Sequence, residues 1–124
     1  MKIIVGGRAS GKTTKLIQES AETGCRILTF NKEAAKEIFW QAQSLGYDIP
    51  LPLSVKDLER IDLHPEIKEQ GIIIDNLEPI LSALCGCTVH SATYGCENAP
   101  LMEITTRGGM KVFNIKSVVV RRKE

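Results

Sequence analysis

"IIVGGRASGKTT" (residues 3–14) decides how the rest of the chain is read. It contains the spacing G-x-x-x-x-G-K-[ST], with Gly6, Gly11, Lys12 and Thr13 at the defining positions. The flanks suit the motif. Ile3, Ile4 and Val5 predict a short buried parallel strand. Leu16, Ile17 and Ala21 then recur at helical spacing, and Gly24 suits the position just past a helix end. In a strand–loop–helix of this kind, inward-turned N–H groups and the positive end of the helix attract phosphate. Gly6, Gly7 and Gly11 shape the loop, and Arg8, Ala9, Ser10 and Thr14 add backbone or side-chain contacts. Lys12 reaches the β- and γ-phosphates, and the Thr13 hydroxyl ligates Mg2+.

The chain has 124 residues, 43% hydrophobic and 25% charged, which suits one folded domain with a modest core. No apolar run is long enough to span a bilayer and no signal peptide is visible, so the expectation is cytoplasmic, with no membrane partner. Four cysteines, Cys25, Cys85, Cys87 and Cys96, are expected to be reduced there. Cys85, Cys87, His90 and Cys96 could be read as a zinc site, but their spacing is not a common one, and the cysteines read better as small buried residues of a strand segment. The net charge of +1 is unevenly spread. Arg107, Lys111, Lys116, Arg121, Arg122 and Lys123 face only Glu124 at the C-terminal end, leaving the remainder net negative. The basic end reads as a solvated tail, with nucleic-acid contact as the alternative.

Along the chain, "RILTF" (26–30) predicts a second buried strand and residues 31–46 a helix. In that helix Asn31 caps, Ala34, Ala35, Ile38, Phe39, Ala42 and Leu45 form the apolar face, and Gly46 closes. Residues 49–53 are extended. Ser54 and Asp57 form a capping pair for a short helix with Val55, Leu58 and Ile61, and 62–70 is polar surface. "GIIIDN" (71–76) is a third buried strand, a helix follows around 79–85, and "TVHSATY" (88–94) is a fourth strand. "LMEITT" and "MKVFNIKSVVV" flank Arg107-Gly108-Gly109 as a hairpin. The alternation predicts an α/β fold whose mainly parallel sheet is flanked by helices, with a C-terminal β-hairpin addition. Residues 1–94 would be the core of a single domain, and 95–124 the addition and basic tail.

Three isoleucines followed by Asp75 suit the strand that carries a magnesium-holding carboxylate, because ligands bind at the carboxyl ends of parallel strands. Asn76 stands where many hydrolytic phosphate-loop proteins have glutamate, and a carboxamide cannot take a proton from water. Glu78 reads as a helix-start acid. Ser91 and Thr93 are strand-end hydroxyls, with Thr93 either sensing the third phosphate or serving the turn.

"ILTFNKEAAKEI" (27–38) resembles the second conserved motif of superfamily-1 helicases of the UvrD type. "PLSVKDL" (52–58) occupies the place of a later helicase segment with a poor match, "IIID" is similar to their Walker B strand, and "SAT" (91–93) resembles the third DEAD-box motif. The resemblance covers residues 1–94 and implies a RecA-like phosphate-loop NTPase core binding ATP and Mg2+. The chain is also similar to small phosphate-loop proteins of phages and mobile elements. It departs from the helicase pattern in Asn76, in having no second RecA-like domain, and in lacking an arginine-finger motif. Arg107, Arg121 or Arg122 could serve a neighbouring subunit.

The expected function is Mg·ATP binding with slow or partner-dependent hydrolysis. Lys12, Asp75 and Thr93 would be the catalytic residues, and Thr13 with Asp75 the metal ligands. A nucleoside or nucleotide kinase is the alternative, suggested by "SGKTTKLI", although no lid or acceptor-site arginine set is visible. The third reading is a non-enzymatic nucleic-acid accessory subunit. ATP is preferred over GTP only through the resemblance.

Overall fold

The computed structural model describes residues 1–6, 11–93, 101–105 and 111–115. They fall into two compact units, one made of Thr13–His90 and the other of Met1–Lys12 with Ser91–Glu124.

Thr13–His90 is a mixed α/β unit built on a small parallel sheet of three strands. Helix α1 (Lys12–Thr23) leads into β2 (Arg26–Thr29), α2 (Lys32–Leu45) and β3 (Leu53–Ser54). A 3-10 helix (Val55–Leu63) and α3 (Pro65–Gln70) then lead to β4 (Ile72–Ile74) and α4 (Leu77–Cys85). The strand order is β3-β2-β4. Leu28 is level with both Leu53 and Ile74, and Ile27 with Ile73.

Strand alternation sends Ile27 and Leu28 to opposite faces, and each founds a core. Ile17, Ile27, Ile38, Ala42 and Ile49 form one cluster, joining α1 and α2 to the sheet. Leu28, Leu53, Ile67 and Ile80 form the other, under the 3-10 helix, α3 and α4. The β2-to-β3 and β3-to-β4 crossovers travel in opposite directions across the sheet, so the right-handed rule places them on opposite faces.

Local chemistry accounts for the element ends. The Asn31 side chain accepts from the Ala34 N–H at 2.8 Å. Gly46 takes φ 82, and Tyr47 N–H donates to the Ala42 carbonyl at 2.9 Å. The two-residue link between α1 and β2 is held by Gly24 N–H donating to Ser20 O at 2.9 Å and Ser20 Oγ donating to Cys25 O at 2.6 Å. The expected capping pair forms: Ser54 N–H and Oγ both donate to Asp57 Oδ2, at 2.9 and 3.2 Å.

The second unit contains an antiparallel sheet of three strands. Strand β1 (Lys2–Val5) pairs with β6 (Lys111–Ile115), which pairs with β5 (Leu101–Thr105), so the expected C-terminal hairpin strands are present. The proposed turn at Arg107–Gly109 lies outside the described residues.

Five expectations are corrected. The strand at 72–74 is present but not buried: Ile72 and Ile73 are half-buried and Ile74 is exposed, because β4 lies at an edge of the three-stranded sheet. Residues 3–5 are not a buried parallel strand: they pair antiparallel with β6, and Val5 is 51% exposed. A short apolar run carries no information about its partner, and antiparallel pairing is slightly the more stable. Residues 88–93 form no strand; only Val89 among them is half-buried, and Tyr94 lies outside the described residues. Cys85 and Cys87 are exposed rather than buried, since they occupy a helix end and the turn after it. The 62–70 segment is not simply polar surface, because α3 places Ile67 in the second cluster. One apolar residue per turn is enough to dock so short a helix, and Pro65 supplies its start.

Candidate phosphate site at the start of α1

Topology brings two of the expected site elements to one end of the parallel sheet. Leu16, Ile17 and Ala21 pack with Ile27, and only Gly24 and Cys25 link α1 to β2, so α1 runs antiparallel to that strand. Its first turn therefore lies at the end where β2 and β4 finish. Asp75 follows Ile74 at that same carboxyl end, half-buried, and its N–H extends the ladder by donating to Leu28 O at 3.0 Å.

The start of α1 has an unusual electrostatic make-up. Its first turn holds Lys12, Thr13, Thr14 and Lys15, all half-buried, and no acid. The first turns of α2, α3 and α4 carry Glu33, Glu66 and Glu78 respectively. Lysines at the positive end of a helix dipole are unfavourable by a few tenths to about 1 kcal/mol each unless an anion offsets them. Lys15 was not picked out by the motif, although it lies three residues from Lys12 and so on the same helix face.

Gly11 precedes this turn with φ 89, in the left-handed region where a side chain would be strained. A Cβ there would meet nothing within 4 Å, so the requirement for glycine is conformational. Lys12 Nζ donates to the carbonyl of Gly6, the first glycine of the motif. Lys12 is thus half-buried. Gly7, Arg8, Ala9 and Ser10 lie outside the described residues.

At the far side of Asp75 the turn into α4 is made by Asn76 at φ 62, ψ 82. Asn76 is the one non-glycine residue with positive φ among the described residues. Asparagine tolerates this conformation better than glutamate does, so the residue identity has a backbone reason as well as a chemical one. Its side chain makes no capping bond, and Glu78 occupies the first turn of α4, as expected of a helix-start acid.

Nearby, Thr29 Oγ1 reaches Leu53 O at 2.8 Å and Asn31 O at 3.0 Å, tying the end of β2 to β3 and to the cap of α2. The Asp57 carboxyl is held below its ordinary range chiefly by the Ser54 backbone N–H, against the effect of burial, with the Ser54 hydroxyl, Lys32 and Arg26 adding to it.

Thr93 is exposed and, with Ser91, lies outside any strand. Arg107, Arg121 and Arg122 lie outside the described residues, as does Cys96. Among the described residues no group of three His, Cys, Asp or Glu side chains is arranged to hold a metal ion. Magnesium in a phosphate site needs no such group, because phosphate oxygens and water supply most of its ligands. The residues present fit that demand: a threonine in the first turn of α1, and a carboxylate at the same end of the sheet. No helix among the described residues is long and apolar enough to cross a membrane. No protein-family model, no curated protein and no solved structure matches this chain.

Proposed function

We propose that this chain is a phosphate-loop nucleotide-binding protein that takes a magnesium–nucleoside triphosphate at the start of α1. The observation that carries the proposal is the first turn of α1: two lysines, two threonines and no acid, led by Gly11 in a left-handed conformation within G-x-x-x-x-G-K-T. A first turn of that composition adds side-chain charge to the positive end of the helix dipole and so favours phosphate.

Lys12 would exchange its bond to the Gly6 carbonyl for the β- and γ-phosphates. Thr13 would give its hydroxyl to magnesium, and Asp75 would hold the metal directly or through water. Magnesium, when bound, neutralises phosphate charge. ATP is the nucleotide favoured by the helicase resemblance. A RecA-like core and a role for Thr93 belong to the same proposal.

Hydrolysis is expected to be slow in the isolated chain. A missing general base costs about 10²–10⁴-fold and a missing arginine finger about 10³–10⁵-fold. Asn76 offers no base, and a partner or a second copy would have to bring the arginine. Thermal unfolding with Mg·ATP, GTP, ADP and nucleosides tests binding: Mg·ATP should raise Tm. No shift with any triphosphate at millimolar concentration would overturn the proposal. Phosphate transfer to a nucleoside would instead make the chain a kinase, and turnover stimulated by DNA would favour the accessory-subunit reading.

A further inference from the structure

Away from the phosphate site, the C-terminal end of α4 presents two free thiols separated by a single residue. Cys85 is the last residue of the helix and Cys87 lies just past it; both are exposed. Gly86 between them takes φ 72, ψ 16. The N–H groups of Gly86 and Cys87 both donate to the Ser82 carbonyl, at 2.9 and 3.2 Å, so the chain turns sharply back at this point. The thiols are thus carried on an ordered turn rather than on a loose tail. Only glycine gives this turn without strain, and it also leaves no Cβ between the two cysteines.

We propose that Cys85 and Cys87 form a dithiol that exchanges with small disulfides of the glutathione class. One thiolate attacks a sulfur of the small disulfide, giving a mixed disulfide and releasing one small thiol. The other cysteine attacks the protein sulfur of that mixed disulfide, closing the Cys85–Cys87 bond and releasing the second small thiol. Two protein thiols are oxidised and one small disulfide is reduced to two thiols. Exposure gives the co-reactant access to both sulfurs.

The spacing sets the purpose of such a bond. Disulfides stabilise folds mainly by closing long loops, and a loop with one intervening residue removes almost no unfolded-state freedom. The bond is therefore reversible chemistry rather than a staple, in the class of exposed, strained disulfides that are readily reduced. Cys25 takes no part: it is half-buried, and its thiol donates to Gln70 O at 3.4 Å.

The test uses the full chain, equilibrated in glutathione buffers from reducing to oxidising, alkylated and weighed by mass spectrometry. Chymotryptic cleavage after Tyr94 separates Cys96 from the pair. The expected result is loss of two alkylation sites, both in the peptide bearing Cys85 and Cys87, restored by excess reduced glutathione. Cys85→Ser and Cys87→Ser should each stop at the mixed disulfide, with one glutathione retained. Full alkylation at every glutathione ratio would overturn the proposal. So would a bond from either cysteine to Cys96, or release of glutathione from both single variants.

Discussion

Helices α1 and α2 pack against the same face of the parallel sheet, and their starts solve one problem in opposite ways. Both helices leave N–H groups unpaired at their first turn. Helix α2 completes itself: Asn31 accepts from the Ala34 N–H, and Glu33 complements the dipole. Helix α1 does the reverse, following Gly11 at φ 89 with two lysines and no acid. A helix start built from its own residues is a stability device. One that gathers positive charge with no acid in its own first turn is the start at which the proposed phosphate would bind.

The largest expected effect should split the two starts. Mg·ATP at about a hundred times its Kd would stabilise the fold by about 2.7 kcal/mol. Lys12→Ala should remove most of that shift while changing the ligand-free Tm much less, because its bond to the Gly6 carbonyl is worth only about 1 kcal/mol. Thermal unfolding with and without nucleotide measures both. An undiminished shift in the variant would end the comparison.

At α2 the pattern should invert. Asn31→Ala is expected to cost about 1 kcal/mol in denaturant unfolding and to leave the nucleotide-induced shift intact. A similar stability cost of about 1 kcal/mol is expected for Asn76→Glu, which forces glutamate into φ 62, whereas Asn76→Gly should keep wild-type stability. Equal stability of the two variants would show that the turn after Asp75 imposes no conformational demand.

The Ser54–Asp57 pair is another self-completed helix start, and it should show itself through pH. The folded-state pKa of Asp57 is depressed, so its contribution is present above the unfolded value of about 3.9 and is lost as pH falls through the lower folded value. Asp57→Ala should cost about 1 kcal/mol at pH 7 and flatten the acid limb of the stability–pH curve. An acid limb as steep as that of wild type would assign the proton to another group.

The smallest effect is also the most specific. Lys15→Glu should raise ligand-free stability by about 0.3–1 kcal/mol by complementing the dipole of α1, and should weaken nucleotide binding at the same time. Opposite signs in two assays on one variant would mark a site that gives up stability for its ligand. If both quantities fall together, Lys15 is a structural residue.

Much of this contrast was legible in the chain because helix starts are local. Asn31 with Ala34, Ser54 with Asp57, and the glycines at 24, 46 and 86 act within a few residues of one another, and each element end they predict is present. The G-x-x-x-x-G-K-T spacing marked Gly11 and Lys12 for the same reason. What went unread depended on distant partners or on backbone angles. Strand β1 finds its partner more than a hundred residues away in β6. The strand expected at 88–94 has apolar and β-branched residues but no ladder at 88–93. At Asn76 the chain shows a missing carboxylate, while the left-handed backbone is an equally strong reason for its identity.

Sequence alone determined the two well-formed helices of one sheet face, the strands at 26–29 and 72–74, and the charge and glycine pattern at the start of α1. These follow from periodicity and from capping, whose interactions span four residues or fewer. Tertiary structure decided that β2 is central, that β1 runs antiparallel to β6, that Ile67 belongs to the core and that Cys85 and Cys87 face solvent. Strand partners and burial are settled by competition among distant segments for the same edges and faces, and no window of local sequence contains both competitors.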